Sequence, residues 1–151
     1  MKAREIMSQP VLVIRQDATL DEAARLMLEK DVGGLPVVDA AGRLVGIVTE
    51  SDFAAKERGV PFSTLRYPQV FGEWMSNEQI ERVYHAARSK KVSEIMTGEV
   101  ATVSEDDSVQ KVLELMLQRN AHRIPVVREG VPVGMVARHD LLKLMATTLS
   151  R

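Results

Sequence analysis

Residues 35–52 read LPVVDAAGRLVGIVTESD, and this stretch decides the fold. Two short apolar runs, Leu35–Val38 and Leu44–Val48, flank a turn that contains glycine, which is typical of a β-hairpin. The second run leads into a helix start, because Thr49 and Asp52 place a hydroxyl and a carboxylate beside the first free amides of a helix. The stretch therefore predicts strand, turn, strand and helix in this order.

The same pattern returns as IPVVREGVPVGMVARHD at residues 124–140. Upstream of the hairpins, EIMS at residues 5–8 recurs as EIMT at residues 94–97, an offset of 94 − 5 = 89 positions. Beyond the turns Gly46 matches Gly134, an offset of 134 − 46 = 88, so the second copy is one residue shorter. A turn is where a deletion disturbs a fold least. The chain is therefore an internal repeat whose two copies share one fold.

Each copy opens with a short extended segment, at residues 11–14 and 100–103, followed by an amphipathic helix. Thr19 and Glu22 form a capping box at the first helix, whereas Ser108 caps the second helix without a partnering glutamate. Apolar residues at helical spacing give each helix one buried face. We predict the order β-α-β-β-α, twice, in a mixed α/β (α+β) fold whose copies bury each other with pseudo-twofold symmetry.

We divide the chain into repeat 1 at residues 1–53, a connector at 54–91, and repeat 2 at 92–151. A capping box at residues 76–79 predicts an amphipathic helix in the connector. The aromatic cluster of the connector is either a small satellite core or a surface for dimerisation or partner docking. All six aromatic residues of the chain lie at the edge of the connector or inside it: Phe53, Phe62, Tyr67, Phe71, Trp74 and Tyr84.

The composition is that of an ordinary globular protein, with 45% hydrophobic and 27% charged residues. A formal net charge of −1 supplies no overall positive field to attract nucleic acid or an acidic membrane. The absence of cysteine excludes disulfides and thiolate metal sites. Neither a signal peptide nor an apolar run of about 20 residues is present, so we expect a cytoplasmic protein.

In their order and in duplicate, these motifs resemble the tandem cystathionine β-synthase (CBS) domain pair, or Bateman module. The matching pieces are the Glu-Ile-Met-Ser/Thr opening, the Pro-Val-Val strand, and Gly46-x-x-Thr49-x-x-Asp52. The resemblance covers residues 1–53 and 92–148. It implies regulatory binding of AMP, ADP, ATP or S-adenosylmethionine in clefts between the copies, without catalysis. It also implies pairing into homodimers.

Carried onto this chain, the resemblance implies one complete nucleotide site. Thr49 and Asp52 would hold the ribose, since a carboxylate can accept bonds from both ribose hydroxyls. Arg123 would meet the phosphate as a fixed cation, and His122 would make phosphate binding depend on pH. The alternative is that Thr49 and Asp52 only start a helix while Arg123 faces water. The remaining members of this site would be Ile47, Thr97, Thr102 and Ala121.

The mirror site departs from this pattern. Ala137 stands where Thr49 stands, and Gly33 and Gly34 replace the His-Arg pair. A phosphate there would lack its cations unless Arg138 turned inward. We expect this site to be weak, empty or differently used, and to be lined by Ser8, Val13, Val32, Gly33, Met135 and Asp140.

We expect an adenosine-nucleotide sensor that passes occupancy to an effector protein or to its own dimer. Since the repeats reach both ends of the sequence, we expect no effector domain on it. The alternative is a structural or docking module whose cleft is idle. An enzyme such as a phosphohydrolase is disfavoured, because the sequence has no clustered metal motif, Walker glycine loop or activated nucleophile. We therefore expect no catalytic residues and no metal ligands, although magnesium could accompany ATP.

Overall fold

The structure is a computed structural model that describes residues 1–54, 85 and 88–149. The connector predictions lie outside the described residues, except at Phe53, which packs against the core of the first repeat. The first repeat comprises α1 (Ala3–Ile6), β1 (Ile14–Arg15), α2 (Leu20–Glu29), β2 (Gly34–Val38), β3 (Leu44–Thr49) and α3 (Glu50–Ala54). The second comprises a 3-10 helix (Val92–Glu94), α4 (Val109–Arg119), β4 (Arg123–Arg128), β5 (Val131–Ala137) and α5 (Arg138–Leu149).

Both amphipathic helices begin at the predicted caps. At α2, the Glu22 amide donates to Thr19 Oγ1 at 3.2 Å, and the Glu22 carboxylate accepts from the Thr19 amide at 3.2 Å. At α4, the Lys111 amide donates to Ser108 Oγ at 3.1 Å, and no glutamate returns the bond. The prediction of one complete and one incomplete capping box is confirmed.

The predicted hairpins are confirmed in both repeats. Strands β2 and β3 are antiparallel, with Leu35 opposite Val48, and β1 adds to β2 in parallel. Strands β4 and β5 pair in the same way, with Ile124 opposite Val136. In the second repeat the opening strand is reduced to a single parallel bridge, because only Val103 pairs with its neighbour.

The segment that opens each repeat packs into the core of the other repeat; we call residues 1–8 and 92–97 the leaders. Val92 and Ile95 are fully buried among the helix and strands of the first repeat. Ala3 and Ile6 lie in the core of the second repeat. The copies therefore bury each other by exchanging their leaders.

Each leader also pairs with the sheet of the other repeat. The amide of Thr97 donates to the Ile47 carbonyl at 2.9 Å, and the Ile47 amide donates back at 3.0 Å. In the mirror position, the Ser8 amide donates to the Met135 carbonyl at 2.8 Å. These two bridges join equivalent residues, so the arrangement has the predicted pseudo-twofold symmetry.

The glycine that recurs in the two hairpins makes room for the leader's methionine. A Cβ atom at Gly46 would lie 2.7 Å from Met96 Sδ and 2.8 Å from the Thr97 carbonyl oxygen. At Gly134, a Cβ atom would lie 2.8 Å from Met7 Cγ. Contacts this short require a neighbouring atom to move, so glycine allows the close approach without displacing the leader. The methionine and the glycine therefore recur together in both copies.

Candidate functional site

Two clefts lie between the repeats, one at each strand-to-helix corner. The first cleft encloses about 510 Å³ and is bounded by the corner after β3 and by the end of α4 in the other repeat. Of the residues predicted for this site, the structure brings these together around the cleft: Ile47, Thr49, Asp52, Thr97, Ala121, His122 and Arg123.

The corner of the first cleft holds a buried carboxylate beside two hydroxyls. Asp52 is 1% exposed, and its Oδ2 accepts from the Thr49 amide at 2.7 Å and from Thr49 Oγ1 at 3.3 Å. Thr49 Oγ1 and Ser51 Oγ lie 2.8 Å apart. Asp52 therefore caps the start of α3, as the structural alternative predicted, and the same group lines the cleft. Such a corner offers donors and acceptors to a diol.

The second repeat contributes the cations of the first cleft. Helix α4 ends at Arg119, and Asn120 adopts the left-handed conformation with φ 49°. This turn directs the chain into β4, so that His122 and Arg123 follow at the cleft. The sequence reasoning missed Arg119 and Asn120, for which an asparagine at the end of the apolar helix pattern was the available signal. It also missed Glu50, Ser51, Glu99, Val100 and Ala101, which line the same cleft.

The structure does not bring Thr102 and Val13 to the lining of their predicted clefts. These two residues are equivalent in the repeats, and neither lines its predicted cleft; Ala101 and Leu12 do so instead. Successive side chains of an extended segment point to opposite sides, so Thr102 faces away from the side that Ala101 shares with buried Val103. Thr102 lines a separate small hollow, and Val13 is 39% exposed.

The second cleft encloses about 360 Å³ at the corner after β5. Asp140 is 3% exposed, and its Oδ2 accepts from the Ala137 amide at 2.8 Å. Its Oδ1 accepts from Lys143 Nζ at 2.9 Å, so this carboxylate is paired with an ammonium group, and Ala137 supplies no hydroxyl where the first corner has Thr49. The predicted residues that line this cleft are Ser8, Val32, Gly33, Met135 and Asp140.

Arg123 lines the second cleft as well as the first. A Cβ atom at Gly33 would lie 3.0 Å from Arg123 Cζ, and one at Gly34 would lie 2.9 Å from Arg123 Cδ. The paired glycines therefore leave the space through which this arginine passes. The expectation that only Arg138 could bring a cation to the second cleft is wrong, because Arg138 is exposed outside it while Arg123 and Lys143 line it.

Within the described parts of the chain, no three histidine, aspartate or glutamate side chains are grouped so as to hold a metal ion.

No helix in the described ranges is long and apolar enough to cross a membrane.

Known structures share the fold of this chain. The CBS domain of a CBS domain-containing membrane protein from Sphaerobacter thermophilus is 41% identical, with a TM-score of 0.77 over 95% of this chain and 87% of that chain. The CBS domain pair of protein MJ0100, solved in complex with 5′-methylthioadenosine and S-adenosyl-L-methionine, is 26% identical. Its TM-score is 0.71, over 98% of both chains.

A curated relative is the chloroplastic protein CBSX2 of Arabidopsis thaliana, which is 27% identical over 139 residues. That alignment covers 89% of this chain and 58% of CBSX2, so the chain spans little more than half the length of this relative. A structure of CBSX2 in complex with AMP shares the fold, with a TM-score of 0.70 and 24% identity over 99% of this chain and 98% of that chain. The family model for the CBS domain matches residues 3–58 and 92–147, one match for each repeat. The chain therefore belongs to the CBS domain family, as a tandem pair.

Proposed function

We propose that the protein binds a phosphorylated adenosine ligand in the first cleft and transmits its occupancy to an effector protein or to a second copy of itself. The observation that carries this proposal is the corner of Thr49, Ser51 and Asp52, which faces the cationic end of α4 across a cavity of about 510 Å³. A cavity of this size suits a small-molecule ligand. MJ0100 was solved with two adenosine compounds and CBSX2 with AMP, which adds support.

The lining of the first cleft includes a group suited to each part of a nucleotide. Ile47 and Ala121 offer aliphatic contact for a base, and the Asp52 corner offers acceptors for ribose hydroxyls. Arg123 offers a guanidinium for a phosphate. Glu50 and Glu99 also line the cleft, and their charge opposes a highly anionic ligand. We therefore propose AMP as the preferred nucleotide, with ATP binding only when magnesium offsets its charge.

Calorimetric titration with AMP, ADP and ATP, with and without magnesium, tests this proposal. A nucleotide of about 23 heavy atoms at roughly 0.3 kcal/mol per atom gains about 7 kcal/mol, which corresponds to a Kd near 10 μM. We expect AMP to bind more tightly than metal-free ATP, and we expect the purified protein to turn over neither. Absence of binding by any adenosine compound would contradict the proposal.

Homodimerisation with an idle cleft is the second candidate. Leu28 and Leu117 occupy equivalent positions on α2 and α4, and they are 82% and 83% exposed. Two exposed leucines on matching helices favour contact with another apolar surface. Light scattering of the protein and of Leu117→Gln, each with and without AMP, separates the two candidates. A dimer that ignores AMP and dissociates in the variant would support the second candidate.

A further inference from the structure

We propose that Arg123 serves both clefts, so that a phosphate-bearing ligand in one cleft weakens the binding of such a ligand in the other. This inference rests on the proposed function, because it takes the ligand of the first cleft to be a phosphorylated nucleotide. The observation behind it is that the same side chain lines both cavities.

The sequence asymmetry between the repeats creates this shared cation. At the offset of 89, Gly33 and Gly34 are the equivalents of His122 and Arg123. A chain with an arginine at position 34 could give each cleft its own equivalent of Arg123, whereas here Arg123 lines both clefts and Arg119 lines only the first. The missing side chains also provide the passage, since a Cβ atom at either glycine would meet Arg123 at 3.0 Å or less.

Lys143 does not make the second cleft independent of Arg123. Its ammonium already forms an ion pair with the buried carboxylate of Asp140 at 2.9 Å. Beyond these two groups, the charged or titratable side chains that line the second cleft are Asp31, His139 and Arg123. Arg123 is the guanidinium of this set, with five donors in a planar fork that suits phosphate oxygens. A phosphate in the second cleft therefore draws on the same group as a phosphate in the first.

Two physical effects then couple the clefts. A phosphate in one cleft orients the guanidinium fork toward itself, which leaves fewer donors for the other cleft. Two anions on either side of one cation also repel each other across a short distance. Both effects oppose double occupancy by phosphorylated ligands. The coupling is reciprocal, because each ligand must weaken the other by the same factor.

The test is a titration of AMP at increasing fixed concentrations of pyrophosphate, at low ionic strength. We expect the apparent Kd of AMP to rise by about fivefold, at the low end of typical couplings, and then to reach a plateau. Adenosine lacks a phosphate, so its Kd should change less. Direct competition inside the first cleft behaves differently, because the apparent Kd of AMP then rises without limit.

Two variants assign the effect to the second cleft. Lys143→Gln keeps a donor for Asp140 but removes a charge from that cleft, so more pyrophosphate should be needed for half of the effect. Gly33→Ala places a methyl group against the Arg123 guanidinium and against Glu50 Oε1. It should bring the ratio of the AMP Kd with pyrophosphate to the AMP Kd without it toward one. Gly98→Ala is the matched control, because its Cβ meets no described atom within 4 Å. Thermal unfolding checks that each variant is folded.

A rise in the AMP Kd without a plateau would overturn the coupling. So would a Gly33→Ala variant in which pyrophosphate raises the AMP Kd by the same factor as in the wild type. An AMP Kd that does not respond to pyrophosphate would overturn the coupling while leaving the proposed function intact. Failure of every adenosine compound to bind the wild-type protein would overturn both.

Discussion

The two strand-to-helix corners, Thr49–Asp52 and Ala137–Asp140, are alike in structure and different in chemistry. Each aspartate accepts the amide three residues before it, at 2.7 Å in the first corner and 2.8 Å in the second. Both carboxylates are almost fully buried. The first carboxylate also meets the Thr49 hydroxyl, whereas the second holds an ammonium group. The aspartate therefore starts a helix in both repeats, and its presence alone does not identify a ligand site.

The largest expected effect is that of Asp52→Ala on nucleotide binding. Loss of charge-assisted bonds to the ribose should weaken AMP binding by about 1.5–3 kcal/mol, or about ten- to a hundredfold, by calorimetry. The substitution also removes a helix cap, and Asp140→Ala removes the equivalent cap at the other corner. The unfolding midpoint of Asp140→Ala thus shows what the cap and the Lys143 ion pair contribute together to stability. A folded Asp52→Ala variant with wild-type AMP affinity would contradict the ribose assignment.

The two leader contacts should differ in their tolerance of a methyl group. Gly46→Ala places Cβ against the backbone oxygen of Thr97, which cannot move cheaply, whereas Gly134→Ala meets only side-chain atoms of Met7. Overpacking typically costs about 1–3 kcal/mol, and we expect the larger loss at Gly46. Urea unfolding measures both losses, with Gly98→Ala as the uncrowded control. Equal losses of unfolding free energy at the two glycines would contradict the expected difference between the backbone contact at Gly46 and the side-chain contact at Gly134.

Exchanging the corner hydroxyls tests what separates the clefts. Thr49→Ala should weaken AMP binding by about 0.5–1.5 kcal/mol, or about two- to tenfold, because one neutral hydrogen-bonding group is lost. Ala137→Thr alone should not create a second site, since Lys143 still holds Asp140. Combining it with Lys143→Ala gives the second corner the threonine and the alanine that the first repeat has at positions 49 and 55, while Arg138 and His139 stay in place of Glu50 and Ser51.

Calorimetric stoichiometry is the measurement for these corner variants. We expect a second equivalent of AMP to bind only to the double variant. A second equivalent bound by Ala137→Thr alone would show that the Lys143 ion pair is no barrier to the ligand.

The smallest expected effect is on the pH dependence of the free energy of unfolding. It arises at Asp107 of the second repeat, whose equivalent in the first repeat is Ala18. The Ser104 amide donates to Asp107 at 2.8 Å and Lys111 pairs with it at 3.0 Å, which together hold the pKa of Asp107 below its usual value. A lowered pKa stabilises the fold above the unfolded-state pKa, and this contribution disappears as pH falls through the folded-state pKa.

Because Asp107 is partly exposed and its partner Lys111 is exposed, screening by solvent reduces its contribution to about a few tenths of a kcal/mol. The free energy of unfolding of Asp107→Asn should therefore fall less than that of the wild type between pH 6 and pH 3, measured by urea titration. Identical pH dependence in the two proteins would refute this role for the carboxylate.

Local sequence patterns were sufficient to predict the helices and hairpins of the two repeats. They were not sufficient to predict the contacts between the repeats. The caps at Thr19 and Ser108 are set by neighbouring residues, so the sequence predicts them directly. The position of Thr102 outside the first cleft could not be predicted, because a small Ala101 and a polar Thr102 do not reveal which side of an extended segment is buried. The path of Arg123 across Gly33 depends on how two repeats lie against each other, which no local pattern contains.

The exchange of leaders has a consequence for biosynthesis. A ribosome completes the first repeat long before it reaches Val92 and Ile95, yet both residues belong to that repeat's core. The early leader must likewise wait, since Ala3 and Ile6 fill the core of the second repeat, which is synthesised after the first. The first half therefore cannot close its core before Ile95 is made, and the second half needs the start of the chain, so the two repeats do not complete their cores independently.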